Sequence, residues 1–342
     1  MTLASTPGTP PVFLPCTDGT RLGLGGAALG NLFEAVSQDQ ARRLIEAAWD
    51  DGCRSFDTAP HYGHGLSERR LGDALRPHPR AQWRLSSKVG RLLRPDAQAG
   101  TTHHGYVQTL PFSQHWDFSA AGIERSIEDS LHRLGLAQID AVFIHDIDAP
   151  TQGAKAAQVL EQVLTEVLPT LRRLQARGWI GPIGLGVNEV TVVHDLLARA
   201  DLDALLLAGR YSLLDTSALN TLLPQLQKKG VALALGGVFN SGILAQRLQP
   251  GDRPTFNYQA APGPWLERAL QLQSHCDRYE VALPAAALQF ALAHPAASLV
   301  LLGARDAAQW HQARAMARQP IDAGLWRDLK DAGLLPAQAP TP

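Results

Sequence analysis

Short apolar runs alternate with longer stretches of helical period along nearly the whole chain. The runs are RLGLGGAALG (21–30), CRSFD (53–57), WRLSSKV (83–89), DAVFIHD (140–146), IGLGV (183–187), ALLLAG (204–209), VALALGG (231–237) and SLVLLGA (298–304). Between them, QDQARRLIEAAWDDG (38–52) sets Leu44, Ile45, Ala48 and Trp49 on one helical face, and SAAGIERSIEDSLHRLG (119–135) does the same with Ile123, Ile127, Leu131 and Leu134. Each of these patterns stops at a glycine, a usual end signal. Eight strand–helix units in 342 residues predict one α/β domain over 1–342, a (β/α)8 TIM barrel with its core at about 20–320, rather than an open doubly wound sheet. A short hairpin, VFLPCTDGTRL (12–22) with its turn at Asp18-Gly19, is expected to plug the barrel's bottom. Two segments break the rhythm, 91–118 after the third strand and 241–262 after the seventh, and loops of that length are commonly lids or substrate walls.

Barrels of this kind carry their active sites at the C-terminal strand ends. Polar residues stand at those places: Asp57 after CRSF, Lys88 in WRLSSKV, His145 after AVFI and Asn188 after IGLGV, with Tyr62 close behind Asp57 in FDTAPHYGHGLSERRLG (56–72). Singly each has an ordinary explanation as a cap, a solvated lysine, a core histidine or a packed ring. Together they make a chemical set. A phenol with a pKa of about 10 exchanges protons poorly near neutrality, and a nearby ammonium lowers that value by favouring the phenolate. Lys88 can supply the charge, Asp57 can hold Lys88 as its counter-ion, and His145 can donate a hydrogen bond to the reacting oxygen. Such a group moves a proton but not a hydride, so a nicotinamide cofactor is expected.

Composition removes other classes. A net charge of −1 offers no basic field for nucleic acid, and no apolar run is long enough for a membrane span. Three cysteines without C-x-x-C spacing indicate neither a disulfide framework nor a zinc knuckle, and MTLASTPGTPPVF lacks the basic and apolar parts of a secretory leader, so a cytoplasmic protein is expected. Gly23, Gly25 and Ala28 match G-x-G-x-x-A, but the helical pattern starts about ten residues too late for a Rossmann turn. His61, His64, His103, His104 and His145 raise the alternative of a metal-dependent barrel hydrolase, although only His145 stands at a strand end; no metal is expected. A third alternative is a binding subunit that keeps the barrel and the cofactor without turnover.

FDTAPHYGHGLSERRLG, LSSKVG and IDAVFIHD resemble the aldo-keto reductases, barrel enzymes that use NAD(P)H with an Asp, Tyr, Lys and His tetrad. The resemblance runs from about residue 20 to about 320 and implies Asp57, Tyr62, Lys88 and His145 as the catalytic residues. SERRLGDALR, SSKVGRLLRP, AGRYSLLD and GGVFNSGIL are most similar to its branch of aldose 1-dehydrogenases acting on L-fucose and D-threo-aldoses, with pyridoxal 4-dehydrogenase a near relative. That implies oxidation of a cyclic hemiacetal to a lactone, the alternatives being pyridoxal oxidation or general aldehyde reduction. It also implies Gly26, Asn188, Gly237, Phe239, Ser241, Leu244, Gly303, Ala304 and Arg305 as cofactor contacts. Many members carry a glutamine where this chain has Ala208 and a ring-stacking tyrosine where it has Gly236, which leaves Phe239 as the substitute. Members that prefer NADP commonly carry a lysine and an arginine where this chain has Gly303 and Gln309; with Asp306 beside them, NAD is expected over NADP, Arg305 being the one group suited to a phosphate. His104, Tyr106 and Trp116 in the first long loop are candidate contacts to a small sugar or aldehyde, and the protein is expected to be a monomer or small homo-oligomer.

Overall fold

The computed structural model describes residues 11–342; the first ten, on which part of the leader argument rests, lie outside it. Eight strands, β1 (Leu22–Gly25), β2 (Ser55–Asp57), β3 (Arg84–Val89), β4 (Ala141–His145), β5 (Ile183–Val187), β6 (Ala204–Ala208), β7 (Ala232–Gly236) and β8 (Ala297–Gly303), pair in parallel. They close into a barrel in the order β1-β8-β7-β6-β5-β4-β3-β2. Each falls on one of the eight apolar runs, with β8 starting one residue ahead of its run. Helices cover the outside, among them Gln38–Asp50, whose Ser37–Gln40 capping box fixes its start, and Ala120–Leu134, which ends at Gly135 in the left-handed region. Register sets Asp57 beside Gly25 and Ser86, and His145 beside Gly186, so these strand ends share one rim.

The bottom is plugged, but not by a hairpin ladder. The turn forms as expected, with Gly19 N–H donating to Cys16 O and Cys16 N–H to Thr20 O, each at 2.8 Å. The arm before it pairs with no strand among the described residues, because Pro15 has no N–H to give a ladder. Leu14 instead donates to and accepts from the Ser55 hydroxyl at 2.8 Å. This hangs Phe13 into the barrel, where its ring stacks on Phe143 at 6.4 Å among Ala141, Ala204, Leu206, Ala234, Leu299 and Leu301.

Both irregular segments fold back as ribbons. Arg91–Pro95 runs antiparallel to Phe112–Trp116, and beyond it Thr102–His103 pairs with Tyr106–Val107 around a tight turn at His104-Gly105. After β7, Thr255–Phe256 pairs with Gln259–Ala260, with Asn257 and Tyr258 at the tip in the left-handed region. Among the described residues no helix is long and apolar enough to cross a membrane.

Candidate active site

At the mouth, Lys88 Nζ donates to Asp57 Oδ2 at 2.7 Å and to the Thr58 carbonyl at 2.8 Å, with both charged side chains sealed from solvent. Ser86 Oγ donates to the other carboxylate oxygen at 2.6 Å, which fixes the aspartate's orientation. Lys88 Nζ lies 4.6 Å from the centre of the Tyr62 ring, and the His145 ring meets Tyr62 edge-on at 6.3 Å. Tyr62, Lys88 and His145 line one cavity of about 380 Å³ that also takes in Asn188, His104 and Tyr106. The sequence thus brings together residues from the ends of three strands and one loop.

The stretch after Asp57 positions the tyrosine. Gly30 lies flat on the Tyr62 backbone, and a Cβ there would sit 2.4 Å from the Tyr62 carbonyl carbon, so only glycine fits. Ser67 Oγ donates to Gly26 O and accepts from Thr58 Oγ1, both at 2.8 Å. Glu68, fully buried, accepts from Ser87 Oγ at 2.8 Å and from Arg133 Nε at 2.5 Å, while Arg70 donates to the Leu29 and Val36 carbonyls. The polar run SERR is therefore scaffolding that ties the tyrosine loop to β1, β3 and the helix Ala120–Leu134.

The electrostatics correct one expectation. Lys88 does not hold the Tyr62 phenol down: burial pushes it well above its ordinary value, and Asp57, which neutralises Lys88, pushes the same way. Burial, with Lys88 and Arg91 behind it, holds the His145 imidazole well below its usual range, so the ring is neutral. Arg91, on the first ribbon, donates to Asp146 Oδ2 at 2.6 Å and to Gln114 Oε1 at 3.0 Å, under the Trp116 ring at 3.9 Å. Asp146 Oδ2 also lies 3.3 Å from His145 Nε2, and an acceptor-only carboxylate there selects the tautomer with the proton on Nε2.

A second cavity of about 290 Å³ adjoins the first and is lined by Gly26, Asp57, Tyr62, Ala208, Gly236, Gly237, Phe239, Ser241 and Gly303. It shares Phe239, Ala245 and Gly303 with a cleft of about 950 Å³ that reaches Arg247, Leu283, Arg305 and Gln309. This elongated space suits a dinucleotide. Gly237 turns through the left-handed region, and open space lies where a Cβ of Gly303 would be, so bare backbone faces the cleft beside two guanidinium groups. Gly26 lines the smaller cavity of about 290 Å³ through backbone alone, since a Cβ would strike Ser67 Oγ and Asp57 O.

Three expected contacts lie elsewhere. Leu244 is wholly buried in the hydrophobic core, and Ala304, the strand neighbour of cleft-facing Gly303, alternates inward to the same core. Trp116 stacks on Phe118 and covers the Arg91 guanidinium, and it lines a separate recess with Lys155 rather than the catalytic cavity. His103 stacks on His64 outside the catalytic cavity. Sequence inspection missed Arg91, Asp146 and Tyr258, and saw His61 only as a metal candidate. Tyr258 reaches both cavities from the second ribbon and, with Phe239, borders the space that Ala208 and Gly236 leave open. His61, His104 and His145 pack ring against ring beside Lys88 and Arg91, a setting that opposes a divalent cation.

The Aldo/keto reductase family model matches residues 21–332. Over 328 residues the chain is 42% identical to the pyridoxal 4-dehydrogenase of Microbacterium luteolum, covering 92% of this chain and 94% of that one. Over 323 residues it is 38% identical to a D-threo-aldose 1-dehydrogenase of Pseudomonas sp., with the same coverage. The barrel also superposes on a glycerol dehydrogenase of Gluconobacter oxydans with a TM-score of 0.70 at 22% identity, covering 94% of this chain and 93% of that one. A match spanning the barrel from its first strand to its last helix, with two relatives alike over nine-tenths of their length, makes this chain a member of the aldo/keto reductase family and a nicotinamide-dependent oxidoreductase.

Proposed function

We propose that the protein oxidises an aldose of the L-fucose or D-threo type, in its cyclic hemiacetal form, at C1 to the lactone. The observation that carries this reading is the convergence of the buried Asp57–Lys88 pair, Tyr62 and neutral His145 on one cavity whose remaining lining offers polar groups such as His61, His104 and Asn257. The relative named D-threo-aldose 1-dehydrogenase supports the substrate class. When bound, the oxidised nicotinamide supplies the hydride acceptor, and the residues that would hold the cofactor are Asn188, Gly237, Phe239, Ser241, Gly303 and Arg305. Tyr62 takes the anomeric hydroxyl proton. His145 Nε2–H donates to the reacting oxygen, giving up its long contact with Asp146. Lys88, fixed by Asp57 and Thr58 O, stands beneath the Tyr62 ring and positions it.

NAD is the preferred cofactor in this reading. Arg305, the cation suited to a 2′-phosphate, is paired with Glu34, and Asp306 is spent as the cap of the helix Ala307–Met316, accepting from Gln309 N–H at 2.9 Å. An added phosphate would have to break the first pair and lie beside two carboxylates. The reading treats 1–342 as one cytoplasmic domain, acting alone or as a small homo-oligomer. Pyridoxal oxidation is the second reading, supported by the 42% relative and by the rings of Tyr106, Tyr62 and His61, which offer faces and edges to an aromatic substrate. A panel of aldoses, pyridoxal and simple aldehydes with NAD⁺ and NADP⁺, followed by nicotinamide absorbance, tests both. The expected result is fastest turnover of an aldose with NAD⁺; turnover of pyridoxal alone would replace the first reading with the second.

A further inference from the structure

His145 ends β4, so side-chain alternation should send residue 146 to the opposite side of the sheet. It does not. Asp146 adopts φ 50°, a left-handed conformation that non-glycine residues seldom take, and its carboxylate turns back into the same cavity as His145. A merely structural ion pair needs no such turn. The carboxylate is buried, and Oδ2 is held by Arg91, which Gln114 and the Trp116 ring lock in place. Among the described residues Oδ1 has no hydrogen-bond donor. A carboxylate oxygen that faces the cavity without a donor from the protein is open to a hydroxyl group of a bound substrate. Its place selects which one: the carboxylate lies against His145, with Oδ2 3.3 Å from Nε2, so a hydroxyl that reaches the free Oδ1 stands beside the oxygen that Nε2–H meets, as a hydroxyl on the adjacent carbon would.

We propose that Asp146 is a specificity-determining residue that accepts a hydrogen bond from the hydroxyl on the carbon next to the reacting one, so that the cavity takes 2-hydroxylated hemiacetals in preference to 2-deoxy ones. Arg91 is its positioning residue, aiming the carboxylate and opposing the rise that burial gives it. The assignment rests on the aldose reading above, because only a polyhydroxylated substrate presents this pair of oxygens.

The test compares L-fucose with 2-deoxy-L-fucose as substrates of the wild type and of Asp146→Asn, with NAD⁺ affinity followed by protein fluorescence. The wild type should favour L-fucose by about 10- to 100-fold in kcat/KM, the size of one hydrogen bond to a charged group. Asp146→Asn should erase that margin, L-fucose falling about 10- to 100-fold further than 2-deoxy-L-fucose, with any loss that comes through His145 falling on both sugars alike and NAD⁺ binding as before. Equal losses on both sugars, or a wild type blind to the 2-hydroxyl, would overturn the assignment while leaving the aldose reading in place. Turnover of pyridoxal and of neither sugar would overturn both. Should Asp146→Asn melt early because it strands a buried guanidinium, Arg91→Met/Asp146→Asn removes both charges and carries the same comparison.

Discussion

The two ends of the barrel are built on opposite terms. At the bottom, Phe13 lies on Phe143 within a ring of Ala, Leu and Phe side chains, with few polar atoms to satisfy. At the mouth, Asp57, Lys88, Arg91, His145 and Asp146 are buried together, and the loops after β1, β2, β3, β4 and β7 hold Phe33, His64, His104, Asp146, Asn240, Ser241, Asn257 and Tyr258 in the left-handed region. Buried charge and strained backbone each oppose folding, by about 1–3 kcal/mol for each strained residue. The bottom therefore supplies stability that the mouth spends on orientation.

That contrast breaks most sharply at Tyr62. Tyr62→Phe should lower kcat by about 10²–10⁴-fold while NAD⁺ still binds and the melting temperature holds; steady-state kinetics beside a thermal melt checks both halves. The pH profile sharpens the same point. With the phenol raised above its ordinary 10.0, oxidation should climb about tenfold per pH unit from neutrality with no plateau below pH 10, and the climb should vanish in Tyr62→Phe. No falling limb near pH 6.5 should come from His145, because burial and Lys88 hold it neutral well below that value. A plateau near pH 8 would mean that the phenol is depressed in the working enzyme.

Phe13→Ala probes the other end. It should cost about 3–4 kcal/mol in denaturant unfolding, with kcat unchanged below the melt. A large loss of kcat would show that the two ends are coupled. The smallest effect is expected at the rim of the cofactor cleft, where Glu34→Gln frees Arg305 and should raise kcat/KM for NADP⁺ by about threefold, with NAD⁺ unaffected, since an exposed ion pair contributes little.

The strands, and the meeting of Asp57, Tyr62, Lys88 and His145 at one rim, were legible because both follow from order along the chain: an apolar run marks each strand, and the polar residues at or just past its end stand at the rim. What escaped depended on turns and sums. Asp146 sits one residue past His145, and only its left-handed backbone, which no sequence rule requires of an aspartate, brings it to the same face. RLLRP and FSQHW carry too mixed a pattern to announce a ribbon, so Arg91 looked like a loop residue and Trp116 like a substrate contact. The hairpin failed at Pro15. The rise in the Tyr62 phenol sums burial with several neighbours, while the pairwise argument saw Lys88 alone.

The first ribbon separates what must stay from what can change. Its base is bolted down: Arg91 and Gln114 face each other and hold Asp146 and His61. Its far end, the six residues from Thr102 to Val107, delivers His104 and Tyr106 to the cavity, pairs with itself, and meets the barrel's first loop through Asn31, Leu32 and Phe33, while the Tyr106 ring stacks on Tyr62. Exchanging the other five residues while keeping Tyr106, whose ring stacks on Tyr62, would alter the chamber's shape and leave the Lys88–Asp57 pair and the Arg91–Asp146 contact in place. For a designer grafting new specificities, or for a lineage drifting between sugars and vitamin-like aldehydes, the tip is a cartridge and the base its socket.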